Sequence, residues 1–258
     1  MRSEFKYFVP NIRLPELRSA IKPFVHPDKF ASKKPDHEYT VRSIYFDTKD
    51  FDMYNTKIDH LAHRLKVRLR GYDLGDENAN VICEIKRKYE GPIVKNRAVL
   101  QYNIVQKIFN GVDLKTVLPV TDDALNIRKF FYQILSNSLQ PVVNVIYERE
   151  AYESKIIDSD NGIRLSIDKN LRSVPYPGTH ELFIERDIMT VNPDHFILEV
   201  KFNRYCPTWI KPILADFELV KGPASKYVMC VESQPIIKTS KQWDALIKCH
   251  SLPKFGNS

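Results

Sequence analysis

Glycine is scarce, with eight in 258 residues. A chain so poor in glycine has no Gly-rich loop to cradle phosphates through its backbone, which excludes a Walker-type nucleotide site. Cysteine is scarce too. Cys83, Cys206, Cys230 and Cys249 form no Cys-x-x-Cys pair, so neither a disulfide framework nor a zinc site is expected, and the thiols read as reduced. The seven histidines show no His-Glu-x-x-His spacing. No apolar run approaches the ~20 residues of a membrane span, and MRSEFKYFVP lacks the apolar stretch of a signal peptide. A soluble, cytoplasmic protein is the expectation. There is no internal repeat and no low-complexity linker, so one domain is expected over 1–258, with a core at about 2–232 and a tail at 235–258.

What is abundant is positive charge in a regular place. Net charge is +7, which leans towards anionic partners. In HRLKVRLRGY, residues 63–72, Arg64, Lys66, Arg68 and Arg70 alternate with Leu65, Val67 and Leu69. Period two is the β-strand signature, so the four cations leave one face and the apolar residues the other. Neighbouring cations on that face lie roughly 6.5 Å apart. Each pair repels by roughly 2.5 kcal/mol at an effective dielectric of about 20, and by about 0.6 in water. Such a face is either solvated or neutralised by an anion.

The alternation recurs on other strand-like segments. Glu84, Lys86 and Lys88 share a face in 81–89, as do Lys95 and Arg97 in 93–100. Tyr147 and Arg149 align with Val143 and Val145; Arg164, Ser166 and Asp168 oppose Ile163, Leu165 and Ile167. Glu199 and Lys201 alternate with Leu198, Val200 and Phe202, and Glu4 and Lys6 with Phe5 and Tyr7. One such strand is an ordinary solvated face. Together the segments put twelve bases (those named above, Lys6, Lys88 and Lys201 included) against Glu4, Glu84, Asp168 and Glu199. The expected fold is α+β, a closed antiparallel β-barrel with a basic lumen, an apolar exterior and flanking helices. Only a multiply charged anion spread along the axis, such as a chain of phosphates, would offset that lumen. Because the bases alternate with core residues and form no exposed patch with stacking aromatics, nucleic acid is not the expected partner.

Further elements follow from local signals. Helices are expected at 14–24, at 102–109 ending on Asn110-Gly111, at 122–139 capped by Thr121, at 207–217 with a kink at Pro212, and at 225–232. Strands are expected at 3–9, 40–48, 141–154, 163–171, 181–189 and 195–203, and Asp47 and Asp50 read as turn residues.

Several pieces together resemble the vacuolar transporter chaperone (VTC) domain, the polyphosphate polymerase branch of the triphosphate tunnel metalloenzymes. They are EFKY at 4–7, RSIYFDT at 42–48, RLKVRLRGY at 64–72, CEIKRK at 83–88, YEREAY at 147–152, IRLSID at 163–168, ILEVKFNRYCPTWI at 197–210 and SKY at 225–227. The resemblance implies an ATP-dependent polymerase that moves the γ-phosphoryl of ATP onto a growing inorganic polyphosphate chain. It implies catalytic roles for Arg68, Arg70, Lys86, Arg149, Arg164 and Lys226, and phosphate contacts from Lys6, Arg64, Lys66, Lys95, Arg97, Tyr147 and Ser225. It gives Glu199 a divalent metal, manganese or magnesium, both of which take hard oxygen ligands. One departure stands out: the hydrolase and cyclase branch begins Glu-x-Glu-x-Lys, whereas Arg2-Ser3-Glu4-Phe5-Lys6 has arginine in place of the first acid. That disfavours a hydrolase and puts a metal role for Glu4 in doubt. A binding module for polyphosphate would carry much the same sequence, and any membrane coupling would fall to a separate chain. On residues alone, Tyr147 reads equally as a packed aromatic, Glu199 as an ion pair with Lys201, and Ser225 as a helix N-cap.

Overall fold

The computed structural model describes residues 3–90, 93–118, 123–156, 162–219, 221–222 and 224–237. The helix cap expected at Thr121 and the tail beyond 237 lie outside them. In chain order the elements are β1 (Ser3–Pro10), α1 (Leu14–Ile21), β2 (Val25–Pro27), β3 (Glu38–Asp47), α2 (Asp52–Ile58), β4 (Arg64–Tyr72), β5 (Asn80–Lys88), β6 (Ile93–Gln101), α3 (Tyr102–Phe109), α4 (Leu114–Val117), α5 (Ala124–Ser136), β7 (Gln140–Ser154), β8 (Arg164–Pro175), β9 (Met189–Thr190), β10 (His195–Phe202), α6 (Ile210–Asp216) and α7 (Lys226–Ser233).

Eight strands form one antiparallel sheet in the order β1-β10-β8-β7-β3-β4-β5-β6, with β2 added to β7 and β9 to β8. Its register puts the alternating charges on one face. Arg68 is opposite Tyr45 and Glu84, Lys66 opposite Lys86, and Glu84 opposite Arg97. On the other arm Asp168 is opposite Arg149, and Glu199 opposite both Ser166 and Lys6.

Closure is where the expectation fails. Among the described residues β1 and β6 do not pair, so the sheet is open and not a barrel. The free edge of β1 is already taken: the Gly222 amide donates to the Lys6 carbonyl at 3.0 Å, and Tyr7 bridges Lys221. The chain then runs into α7, which lies on the charged face and fills part of it. Tyr227, Val228 and Val231 pack against Val41, Tyr45, Val143 and Val145. The concave face is thus apolar under α7 and charged beyond it.

The opposite face carries two cores. One joins Phe46, Val67, Leu69, Cys83 and Ile85 to α3 and α5 through Val105, Ile127 and Phe130. The other joins Val9, Leu165, Leu198 and Val200 to α1 and α6 through Leu17, Ile21 and Ile210. Burial of these apolar rows fixes the register, because a slip of one residue would bring the charges into the cores.

Three local expectations are corrected. Residues 181–189 form no strand before Met189. The Leu182 amide donates to the Tyr102 hydroxyl and its carbonyl accepts from Asn144, so its backbone groups are spent on side chains. Phe183 meanwhile sits over Gly71, where a Cβ would meet the ring at 2.6 Å. Pro212 lies in the first turn of α6, where a missing N–H costs nothing, and does not kink it. Asp47 is not a turn residue but the last residue of β3, and it is fully buried. Its carboxylate accepts from the amides of Thr48, Met53 and Tyr54, satisfying orphan donors at the start of α2, and from the Tyr227 hydroxyl at 2.5 Å.

Candidate functional site: a cation-rich mouth above a paired belt

Three buried carboxylates organise the deep part of the concave face. Glu84 accepts from Arg68 at 2.7 Å and faces Lys86 and Arg97 at 3.0 Å each. Asp168 takes a bidentate fork from Arg149, at 2.6 and 2.7 Å, and pairs with Lys226 at 2.6 Å. Glu199 faces Lys201 at 2.5 Å, Lys226 at 3.1 Å, Lys6 at 3.4 Å and Arg149 at 3.7 Å. Burial alone would raise the pKa of Glu84 and Glu199, but the surrounding cations outweigh it and hold both well below the usual carboxylate range. Tyr147 lies beneath this belt, its ring 4.9 Å from the Lys226 ammonium and 5.2 Å from the Arg149 guanidinium carbon.

Not every cation in the belt is compensated. Lys86 shares Glu84 with Arg68 and Arg97, and burial followed by the Arg68 charge lowers its pKa to about 6. Arg70 is buried, donates to the Ser43 hydroxyl at 3.1 Å, and has no carboxylate within 4 Å among the described residues.

At one end the two arms of the curled sheet approach each other. Lys6 on β1 donates to the Ala224 carbonyl at 3.1 Å, and Lys66 on β4 reaches the Ser225 hydroxyl at 3.4 Å. The 224–225 segment therefore ties both arms together just before α7. Around it opens a cavity of about 370 Å³ lined by Lys6, Lys57, Arg64, Lys66, Lys221 and Ser225, with Glu4 the one acid. Lys66, Lys57 and Arg64 have no carboxylate within 4 Å among the described residues. Burial lowers the Lys66 pKa to about 8, assisted by Lys6, Arg68 and Lys57. Such a mouth is preorganised for an anion, because an incoming phosphate supplies the counter-charge the protein omits.

The expected site residues therefore separate. Arg68, Lys86, Arg149, Lys226 and Tyr147 lie in the belt with Glu199, and Lys6, Arg64, Lys66 and Ser225 lie at the mouth. Arg70 is buried nearby on β4. Arg164 is exposed, opposite Lys201 in the register, and paired with Glu153 at 2.7 Å; Lys95 is exposed on edge strand β6, and Arg97 is exposed but held by Glu84. Ser225 occupies the N-cap position of α7 without a side-chain cap bond, which leaves its hydroxyl for Lys66.

The donor set at Glu199 does not make a divalent-cation site. Four cations surround its oxygens, and among the described residues no three His, Cys, Asp or Glu side chains converge. A metal there would have to displace ammonium groups already in contact.

A VTC domain model matches residues 1–234. The chain belongs to the VTC domain family. Its relatives include the vacuolar transporter chaperone complex subunit 4 of Schizosaccharomyces pombe, 26% identical over 197 residues, covering 63% of this chain and 27% of that protein. Subunit 2 of the same complex in Saccharomyces cerevisiae is 25% identical over 151 residues, covering 51% of this chain and 18% of that protein. The matches thus span about a quarter or less of those relatives. A Hippeastrum protein described as an adenylyl cyclase with a dominant triphosphatase activity superposes with a TM-score of 0.48 at 14% identity, covering 93% of this chain and 100% of that one, a likeness too distant to carry an argument.

Within this VTC domain, sequence reasoning missed Lys57 and Lys221. Lys57 sits on α2, whose start depends on the buried Asp47 rather than on a visible capping signal. Lys221 lies in the bridge to β1, where its ammonium rests 3.8 Å from the centre of the Phe5 ring. No local charge signal marks Lys57, whose segment 50–60 carries Asp50, Asp52 and Asp59 against that one lysine.

Proposed function

We propose that this VTC domain is a polyphosphate polymerase, transferring the γ-phosphoryl of ATP to the end of an inorganic polyphosphate chain. The observation that carries the reading is the mouth, where five cations, three from the two arms of the sheet and two from α2 and the 221–222 segment, meet one acid. Family membership supports it. The attacking group is a terminal phosphate oxygen of the chain, already ionised, so no general base is required. It bonds to Pγ as the bond from Pγ to the β,γ-bridging oxygen breaks, and ADP leaves with the electron pair. The protein's part is alignment and neutralisation of charge spread over phosphate oxygens. Lys66, Arg64, Lys6 and Lys57 receive the phosphates. Lys86, Arg70 and Arg68 face the transferring group, and Lys226 and Arg149 are positioned by Asp168 and Glu199.

The relatives are subunits of a vacuolar transporter chaperone complex, and no helix among the described residues is long and apolar enough to cross a membrane. By that similarity this domain works as part of such a complex, which would take up the product.

The test is to incubate the purified chain with ATP and either manganese or magnesium chloride and resolve the product on a gel. A ladder of polyphosphate is expected. Phosphate release from tripolyphosphate without a ladder identifies a hydrolase instead. Thermal stabilisation by tripolyphosphate without turnover identifies a binding module; a ligand at 100 times its Kd adds about 2.7 kcal/mol.

A further inference from the structure

Arg64 belongs to two cavities. One is the cation-rich mouth. The other, about 340 Å³, lies around the end of β4 and β5 and is lined differently: His63, Leu65, Met53 and Tyr89 supply apolar and aromatic surface, Thr48, Thr56, Gln133 and Asn137 supply uncharged polar groups, and its one acid, Asp52, accepts from the Thr48 hydroxyl at 2.9 Å. Its cations are Arg64, Arg87 and Lys88. His63 and Tyr89 are stacked, with ring centroids 3.9 Å apart and planes 10° from parallel, and Tyr89 is 73% exposed. An exposed tyrosine held flat by a second ring offers a free π-face at little entropic cost.

We propose that this second cavity holds the nucleoside part of the substrate, with the base stacked on Tyr89 and the triphosphate passing Arg64 into the mouth. The inference rests on the phosphate-binding reading of the mouth and adds where the rest of the nucleotide goes. The chemistry divides accordingly. The mouth has almost nothing but charge, which suits phosphates and repels nothing about their oxygens. The neighbouring cavity has a flat aromatic face for any base and amide and hydroxyl groups for ribose and base edges. Arg87 is steadied by the Asn96 side chain, to which it donates at 3.0 Å, so it is ordered beside the stack. Because base–aromatic stacking is tolerant of base identity, the subsite discriminates nucleotides from bare phosphate chains rather than one base from another.

The experiment compares ATP with tripolyphosphate, binding each to the whole chain by calorimetry. Tyr89→Ala is expected to weaken ATP roughly tenfold, as loss of one stacked base implies, and to leave tripolyphosphate within about twofold. Tyr89→Phe keeps the ring and is expected to bind both as the unaltered chain does. An unchanged thermal midpoint for Tyr89→Ala, expected for so exposed a side chain, shows that the fold persists. Equal weakening of both ligands, or no weakening of either, overturns the subsite while the phosphate reading stands. If the unaltered chain binds neither ligand, the reading of the mouth fails and the subsite falls with it.

Discussion

Arg149 and Lys66 both lie on the concave face, yet they are opposite kinds of cation. Arg149 is held by a bidentate carboxylate and a second acid, and its pKa is raised well above the ordinary guanidinium value because Asp168 more than offsets the burial penalty. Lys66 has a hydroxyl and no acid, and its pKa falls. In the belt around Arg149 every cation touches a carboxylate, although four cations share Asp168 and Glu199, so the polyanion is not required to hold Arg149 in place. The mouth around Lys66 is left unbalanced, so there the free protein is strained and a ligand relieves it. A charged face seen in sequence mixes these two regions, and only partners in space separate architecture from receptor.

The sharpest way to break the comparison is to remove an acid from the belt. Asp168→Ala takes the bidentate partner from buried Arg149 and leaves it and Lys226 to share Glu199, and breaking a buried pair in this way costs about 3–5 kcal/mol. Urea denaturation is expected to show that loss. A loss under about 1 kcal/mol would mean that the belt is hydrated and the distinction from the mouth is false. The counterpart is Lys66→Met. It removes a charge that has a hydroxyl but no carboxylate partner among the described residues, so stability is expected to stay within about 0.5 kcal/mol or rise. Tripolyphosphate affinity is expected to fall roughly 10- to 100-fold, since a charge-assisted hydrogen bond contributes about 1.5–3 kcal/mol. Calorimetry reads the affinity and the same urea titration reads the stability.

Protonation sharpens the contrast further. In the free protein Lys86 has a pKa of about 6 and Lys66 of about 8, both lowered first by burial. A phosphate beside them favours the charged form and raises both values. Binding near pH 7.5 is therefore expected to take up about one proton, most of it at Lys86. Affinity should fall as pH rises through 6 to 8. Without ligand the sign on stability is opposite. Between the lowered pKa and the unfolded value of about 10.4 the unfolded chain binds more protons, so the contribution of these lysines to stability rises with pH. Calorimetry in buffers of different ionisation enthalpy measures the uptake. Lys86→Arg, which stays charged, is expected to abolish most of it. Uptake unchanged in that variant would place the titrating group elsewhere.

How much of this was legible in the sequence follows from range. Alternation along β4, β5, β7, β8 and β10 is a local property, and it correctly put Arg68, Glu84, Asp168 and Glu199 on one face. Closure was not local. It depends on what occupies the outer edge of β1, and that is residues 221–222, two hundred positions away. The segment 181–189 has strand-like composition, but Asn144, Tyr102 and Gly71 claim its backbone and its Phe183 ring, and no window of sequence contains them all. Counting twelve bases against four acids likewise missed that three of those acids each hold several bases. Those three shared carboxylates change the meaning of the count more than their number suggests.

The smallest effect tests the outermost charge. Lys57 lines the mouth from α2, and its pKa is lowered first by burial and then by Arg64 and Lys6, so it sits within reach of the other cations without a carboxylate of its own. It is a better probe than Lys221, whose backbone also bridges Tyr7. If Lys57 steers rather than grips, Lys57→Ala should slow tripolyphosphate association about two- to threefold at low salt and leave dissociation nearly unchanged. At about 1 M salt the Debye length is roughly 3 Å, and the difference should vanish. A stopped-flow series against ionic strength measures both. A difference that persists at high salt, or that appears in the dissociation rate, would make Lys57 a direct phosphate ligand. The boundary between steering rim and gripping mouth would then move outward to α2, with Lys66 no longer its outermost contact.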